Sequence, residues 1–189
     1  MSMPRDKRLR VVFIDRDGVI NRNIDNGYVR TTDDFEILPN VPEALSKLSN
    51  AGCQLVVISN QAGVGKGLIT KESLDAIDRM MFSAVAKAGG KIAATYYCPH
   101  RPDDNCDCRK PAPGLILQAS RDLGIDPKET VFIGDAVSDM LAGRAAGCKT
   151  VMVLTGKTTA DDAAVLEPAP DYIAADLTAA VDWLLLQSF

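Results

Sequence analysis

Two pairs of acids sit where short apolar runs end. DRDG follows VVFI and places Asp15 and Asp17 two residues apart, a spacing that in extended backbone points both side chains the same way. GDAVSD follows VFI and places Asp135 and Asp139 four apart; if Asp135 opens a helix, Asp139 lies one turn along the same side. Acids at the end of a buried strand are costly unless protons or a cation neutralise them, and such a set of oxygens suits Mg²⁺. Asp-Gly is also common in surface turns, so DRDG alone reads as either turn or site. An EF-hand loop is excluded, because Phe13 stands where that pattern needs an acid or amide. A third run, LVVI, ends in Ser59-Asn60-Gln61, and Lys110 follows a fourth, TYYC, by twelve residues. Together these ends supply two acids, a hydroxyl, a lysine and two more acids, the parts that phosphoryl transfer uses.

The stretch CPHRPDDNCDCRKP holds three of the five cysteines and the sole histidine. Cys98, His100, Cys106 and Cys108 make a closed set of three thiolates and one imidazole, typical of structural zinc. The other reading, a disulfide, conflicts with the reducing compartment inferred below. A proline-rich polar segment cannot fold by burial, and a zinc ion would supply the missing folding energy. Fixing 98–111 would aim Arg109 and Lys110 at the acids; the plainer reading of Arg109 is a solvated loop arginine. Cys53 and Cys148 lie in apolar contexts and read as small buried side chains. In AGVGKG, Gly63, Gly65 and Gly67 read either as a phosphate cradle or as a flexible strand-to-helix loop. The Walker A pattern is not met, since Asn60 and Gly67 occupy its first and last positions.

Positioning these groups falls to the elements around them. Apolar, β-branched or aromatic runs at 11–14, 55–58, 95–98, 131–133 and 151–154 predict strands covered on both faces. Helical spacing predicts helices over 42–51, from Thr70 towards Gly89, and over 114–123, 140–146 and 179–186. Strand–helix alternation implies a parallel sheet with helices on both sides, and ligands of such sheets bind at the carboxyl ends of the strands. Two long excursions, 21–39 and 99–114, are where specificity is expected.

The bulk properties are those of an ordinary globular protein: 189 residues, 47% hydrophobic and 24% charged. One domain spanning 1–189 is expected. A net charge of −4 from 21 basic and 25 acidic side chains argues against nucleic acid or an anionic membrane surface as partner. No signal peptide is read in MSMPRDKRLR and no run reaches membrane-spanning length, so a cytoplasmic protein is expected.

With DRDGV at Asp15, Ser59 after a hydrophobic strand, Lys110, and GDAVSD at Asp135, the sequence resembles the haloacid-dehalogenase-like phosphatases. The four motifs occur in order and span nearly the whole chain. The resemblance implies a Rossmann-like α/β fold and an aspartyl-phosphate mechanism. Asp15 would attack phosphorus, and Asp17 would protonate the leaving alkoxide and then activate water. Ser59 and Lys110 would hold the transferring group. Mg²⁺ would bind the Asp15 carboxylate, the Asp17 carbonyl and Asp135, supported by Asp139. The CPH…CDCRKP segment narrows the resemblance to the branch of D-glycero-D-manno-heptose 1,7-bisphosphate 7-phosphatases and histidinol-phosphate phosphatase domains, both with this zinc loop. Gly27-Tyr28-Val29, DDFEILP, NQAGVGKG and Gly114 favour the heptose side. The implied enzyme is a monomer without a large cap, acting on a small phosphorylated sugar, with Tyr28, Asn60, Lys66 and Arg109 as substrate contacts. Ala136 departs from the pattern, which commonly has a basic residue there. Two non-enzymatic readings compete: a phospho-receiver, in which phospho-Asp15 would be long-lived, and a zinc-dependent interaction module with incidental acids.

Overall fold

The structure, a computed structural model, describes residues 11–187; the MSMPRDKRLR segment lies outside them. One parallel sheet runs through the described residues in the order β3-β2-β1-β4-β5-β6. Its strands are β1 (Val11–Ile14), β2 (Gln54–Asn60), β3 (Ile92–Cys98), β4 (Thr130–Gly134), β5 (Lys149–Val153) and β6 (Tyr172–Ala174). β1 is central and pairs along all four residues with both neighbours, Val11 opposite Gln54 and Thr130, Ile14 opposite Val57 and Ile133. The DRDG and GDAVSD segments therefore leave the sheet side by side.

The helices are α1 (Val41–Asn50), α2 (Ala62–Gly65), α3 (Lys71–Lys87), α4 (Gly114–Leu123), α5 (Val137–Ala146), α6 (Ala160–Ala164) and α7 (Leu177–Leu186). Strand side chains alternate between two cores, as a period of two demands. Val12, Ile14, Leu55, Val57, Ile133 and Val153 pack with Leu45 of α1, Ile77 and Met81 of α3 and Val181 of α7. Val11, Phe13, Val56, Ile58 and Phe132 pack with Ile116 of α4 and Ala142 of α5 on the other face. Both faces are covered, which explains why the central strands read as unbroken apolar runs. Among the described residues no separate cap is inserted: the excursions after β1 and β3 carry single-turn 3-10 helices at Thr32–Asp34 and Pro102–Asp104, and the first adds an isolated bridge between Asn21 and Ile37.

Two elements begin three residues earlier than expected, and three others were not anticipated. β3 begins at Ile92 rather than 95 and is only half covered, because it is an edge strand whose apolar signal is diluted by Ala93 and Ala94. α5 begins at Val137 rather than 140, because the Asp139 carboxylate accepts from the backbone N–H of Ala136 at 3.0 Å and of Asp135 at 3.1 Å. An acid folded back on its own first turn is a helix start. β6, three residues at the far edge, was not anticipated, and neither were α2 and α6.

Candidate active site

β1 ends into Asp15, which is buried beside Lys110. Lys110 Nζ lies 2.9 Å from Asp15 Oδ1 and 2.7 Å from Asp139 Oδ1, and it donates to the Ile58 carbonyl at 3.0 Å. The backbone N–H of Arg16 also donates to Asp15 Oδ1, at 2.7 Å. Burial pushes the Asp15 carboxyl up to about 6 despite the opposing Lys110 charge. Burial likewise pushes Asp135 up to about 7, helped by the Asp15 and Asp139 carboxylates. Lys110 would be lowered by burial, yet Asp139 and Asp15 hold it well above its ordinary value.

Lys110 thus pairs with two of three buried carboxylates, Asp15 and Asp139, and leaves Asp135 without a cation among the described residues. Oxygens of Asp15, Asp135 and Asp139 all lie within 4.8 Å of one another. A cluster with excess negative charge in low dielectric favours a divalent cation, and oxygen-only donors suit a hard one. The two Asp139 oxygens are engaged by the α5 start and by Lys110. That leaves Asp15 Oδ2 and Asp135 Oδ1 outside these contacts, so Asp139 braces the cluster.

A loop after β5 closes over Asp135. The Lys157 N–H donates to Asp135 Oδ2 at 2.8 Å and the Thr158 N–H to the Asp135 carbonyl at 3.1 Å. The Thr155 hydroxyl donates to the Gly18 carbonyl at 2.6 Å. Glycine is required on both sides. A Cβ on Gly18, whose φ is +91°, would fall 2.4 Å from Asp135 Oδ2, and one on Gly156 only 1.9 Å from it.

Asp17 does not join the metal cluster through its side chain. Its carboxylate accepts from Arg16 Nε at 3.3 Å and from Arg16 Nη2 at 3.1 Å. It also accepts from Asn21 Nδ2 at 2.9 Å and Gln61 Nε2 at 2.8 Å. Burial would raise its pKa, but Arg16, aided by Asn21 and Gln61, holds it below the usual carboxylate range. Arg16, Asn21 and Gln61 were missed from sequence. Arginine beside two acids reads as a solvated charge, whereas here it is fully buried.

Ser59 is buried at the end of β2, and its hydroxyl accepts from Gln61 Nε2 at 3.2 Å. Asn60 lines the cleft, but both ends of its amide are committed. Its Nδ2 donates to the Lys110 carbonyl at 3.0 Å and its Oδ1 accepts from the Lys110 N–H at 3.1 Å. It fixes the lysine from across the sheet edge. The phosphate-cradle reading of AGVGKG meets a competing use: the Gly65 N–H donates to the Pro99 carbonyl at 3.0 Å and the Gly67 N–H to the Val64 carbonyl at 2.9 Å. This segment is the short helix α2, and it packs against the cysteine loop.

In that loop the four sulfur and nitrogen donors converge. Cys98 Sγ lies 3.2 Å from Cys108 Sγ and 3.6 Å from Cys106 Sγ, and Cys106 lies 3.4 Å from Cys108. His100 Nδ1 is 3.2 Å from Cys108 Sγ and 3.6 Å from Cys98 Sγ. These separations far exceed the roughly 2.05 Å of a disulfide. They approach the ~3.5–3.8 Å edges of a tetrahedron with zinc–donor bonds of about 2.0–2.3 Å. The set can hold one tetrahedral metal ion. Arg109 follows at once, and its guanidinium donates to the His100 carbonyl at 3.4 Å.

Above the acids opens a cleft of about 890 Å³. Its lining combines Asp15, Asp17, Ser59 and Lys110 with Tyr28 of the first excursion, Arg109 of the second and Lys157 of the loop after β5. Lys66 is not part of the lining; its ammonium sits 5.3 Å over the Tyr28 ring. Lys157 was not singled out from sequence, because nothing local to GKTT shows that its loop folds over Asp135.

Comparison with known proteins agrees with this arrangement. A HAD-hydrolase-like family model matches residues 107–180. A Pseudomonas aeruginosa protein named D-glycero-beta-D-manno-heptose-1,7-bisphosphate 7-phosphatase is 41% identical over 78% of this chain and 82% of its own. One of the same name from Photorhabdus laumondii is 42% identical over 82% and 87%. Among solved structures, the D,D-heptose 1,7-bisphosphate phosphatase of B. bronchiseptica, complexed with magnesium and phosphate, aligns with a TM-score of 0.85 at 34% identity. The match covers 93% of this chain and 98% of that one. At this identity and over this much of both partners' length, the chain belongs to the haloacid-dehalogenase-like hydrolases, in the branch that contains these phosphatases.

Proposed function

We propose that this chain is a Mg²⁺-dependent phosphatase that removes the 7-phosphate of D-glycero-β-D-manno-heptose 1,7-bisphosphate. The observation that carries the mechanism is Asp15, buried against Lys110 at 2.9 Å on the floor of an open cleft. A merely structural ion pair needs no cleft, whereas a carboxylate attacking phosphorus does. The relatives' shared name supplies the sugar and its β anomer. Asp17, ionised in the free cleft, takes up a proton as the phosphate dianion arrives beside it, because a neighbouring negative charge favours the neutral acid. Asp15 then forms a bond to phosphorus as the bond to the C7 oxygen breaks, and Asp17 delivers that proton to the oxygen. Asp17 then takes a proton from the water that attacks the phosphoaspartate, which releases inorganic phosphate and restores Asp15. Lys110 and Ser59 hold the oxygens of the transferring group. Asp15, the Asp17 carbonyl and Asp135 hold Mg²⁺, with Asp139 as brace. Mg²⁺ supplies charge neutralisation at the phosphoryl oxygens.

Cys98, His100, Cys106 and Cys108 hold Zn²⁺ in a closed structural site. Arg109 and Tyr28 face the rest of the sugar, Asn60 serves through Lys110, and Lys66 serves through Tyr28. The chain works as a single-domain monomer in the cytoplasm, without nucleic acid or membrane. No helix among the described residues is long and apolar enough to cross a membrane. The test is a phosphate-release screen over both anomers of the heptose bisphosphate and histidinol phosphate, with and without Mg²⁺. Metal-dependent release favouring the β anomer is expected. Preference for histidinol phosphate would reassign the substrate, and a long-lived phospho-Asp15 without turnover would point to a receiver.

A further inference from the structure

A cation between the two acids of DRDG has no part in the chemistry described so far. Arg16 is wholly buried, with its side chain at 0% exposure against 23% for Asp17. Its guanidinium engages both Asp17 oxygens through Nη2, each at 3.1 Å. It is packed near rings from two other elements. Its central carbon lies 5.7 Å from the Tyr97 ring of β3 and 6.0 Å from the Phe35 ring of the first excursion. Tyr97 is itself tied down: its hydroxyl donates to Asp78 Oδ1 of α3 at 2.5 Å, while the Thr95 hydroxyl donates to Asp78 Oδ2 at 3.2 Å. A chain of contacts thus runs from α3 through β3 to the carboxylate at the mouth of the cleft.

Neutralising Asp17 would not require this construction. An exposed lysine would supply a charge, and burying arginine costs desolvation that only good geometry repays. What the arrangement adds is orientation. The planar fork is packed beside two rings and grips both oxygens of one carboxylate, which fixes that carboxylate's rotation. Proton transfer is sensitive to that rotation, because donor and acceptor must meet at hydrogen-bond distance as the leaving bond breaks.

We propose that Arg16, clamped by Tyr97, Phe35 and Asp78, is a positioning residue that aims the Asp17 carboxyl at the leaving oxygen. The inference rests on the assignment of Asp17 as the general acid. The balance of the step is unchanged: the proton goes from Asp17 to the alkoxide as phosphorus passes to Asp15, and Arg16 gives up no proton.

The test uses leaving groups. An alkyl phosphate such as the heptose bisphosphate must be protonated as it leaves, whereas p-nitrophenyl phosphate leaves as a stable anion and needs no acid. kcat/KM covers the steps through transfer to Asp15 and so excludes the later attack by water. Arg16→Lys keeps the charge and removes the fork. It is expected to lower kcat/KM on the heptose bisphosphate by about 10-fold or more, a fraction of the ~10²–10⁴ that acid–base catalysis provides. The loss falls in kcat, and activity on p-nitrophenyl phosphate stays within about 3-fold. Tyr97→Phe, which leaves the ring on Arg16 but cuts the tie to Asp78, is expected to show the same selectivity at about 3-fold. It decides the matter if the lysine variant does not fold. Equal losses on both substrates, or none on the sugar, would overturn the positioning role while leaving the phosphatase assignment intact. Phosphate release surviving in Asp15→Asn would instead overturn the assignment itself, and the role of Arg16 with it.

Discussion

Lys110 answers two carboxylates at once, and the side chains around it are arranged so that it cannot leave. Its ammonium bridges Asp15 and Asp139, and its backbone is gripped at N–H and carbonyl by Asn60, fifty positions earlier. Breaking that grip should displace the cation without removing it. Asn60→Ala is expected to cost about 1–3 kcal/mol, the usual price of orphaning buried backbone groups. It should cut kcat about 10-fold or more, while Mg²⁺ affinity measured by titration stays within a factor of a few. Asp15→Asn removes the attacking oxygen's charge and should abolish phosphate release, by at least about 10³-fold. Circular dichroism and zinc content should be unchanged. Gly156→Ala puts a methyl group where Asp135 Oδ2 sits. Its expected signature is a raised Mg²⁺ requirement, read from the metal dependence of activity.

At the scale of elements, the cysteine loop and β2 together carry Lys110. Cys108→Ser should release the metal, measured by atomic absorption. It should lower the melting temperature by more than about 4 °C, the shift that ~1–2 kcal/mol produces in a chain of this size. Activity should fall through disorder at Arg109 and Lys110. This element was legible in the sequence because its ligands are rare residues at short spacing. β1, β2 and β4 were legible for a different reason: burial on both faces leaves no polar residue to blur the run. β6 was not, since three residues at a sheet edge carry too little pattern. α2 was misread because glycines signal loops, whereas here Gly65 lets α2 approach the Pro99 carbonyl. The places of Asp15, Ser59 and Asp135 were readable from their strand ends, and that of Lys110 from its position directly after the cysteine cluster. Arg16, Asn21 and Gln61 were not, because their value lies in converging on one carboxylate, Gln61 from forty-four residues away and Arg16 and Asn21 through a turn that folds back on Asp17, and convergence is a property of the fold.

For the molecule as a whole, the sheet order decides where each group can be. Placing β1 between β2 and β4 brings four motifs, dispersed over most of the chain, to one edge. It also gives the groups at that edge unequal tenure. The amides of β1 are hydrogen-bonded on both sides beneath two cores, so they should exchange with solvent only on global unfolding. Amides at 22–36 and 100–109, held by short turns and by the cysteine cluster, should exchange through local openings orders of magnitude more often. Mass-resolved exchange would show the contrast, and adding a chelator should speed the second segment while leaving β1 unaffected. A lineage can therefore rewrite the cleft walls, and with them its diet of phosphate esters, at positions whose loosening never reaches the strand that carries the attacking carboxylate.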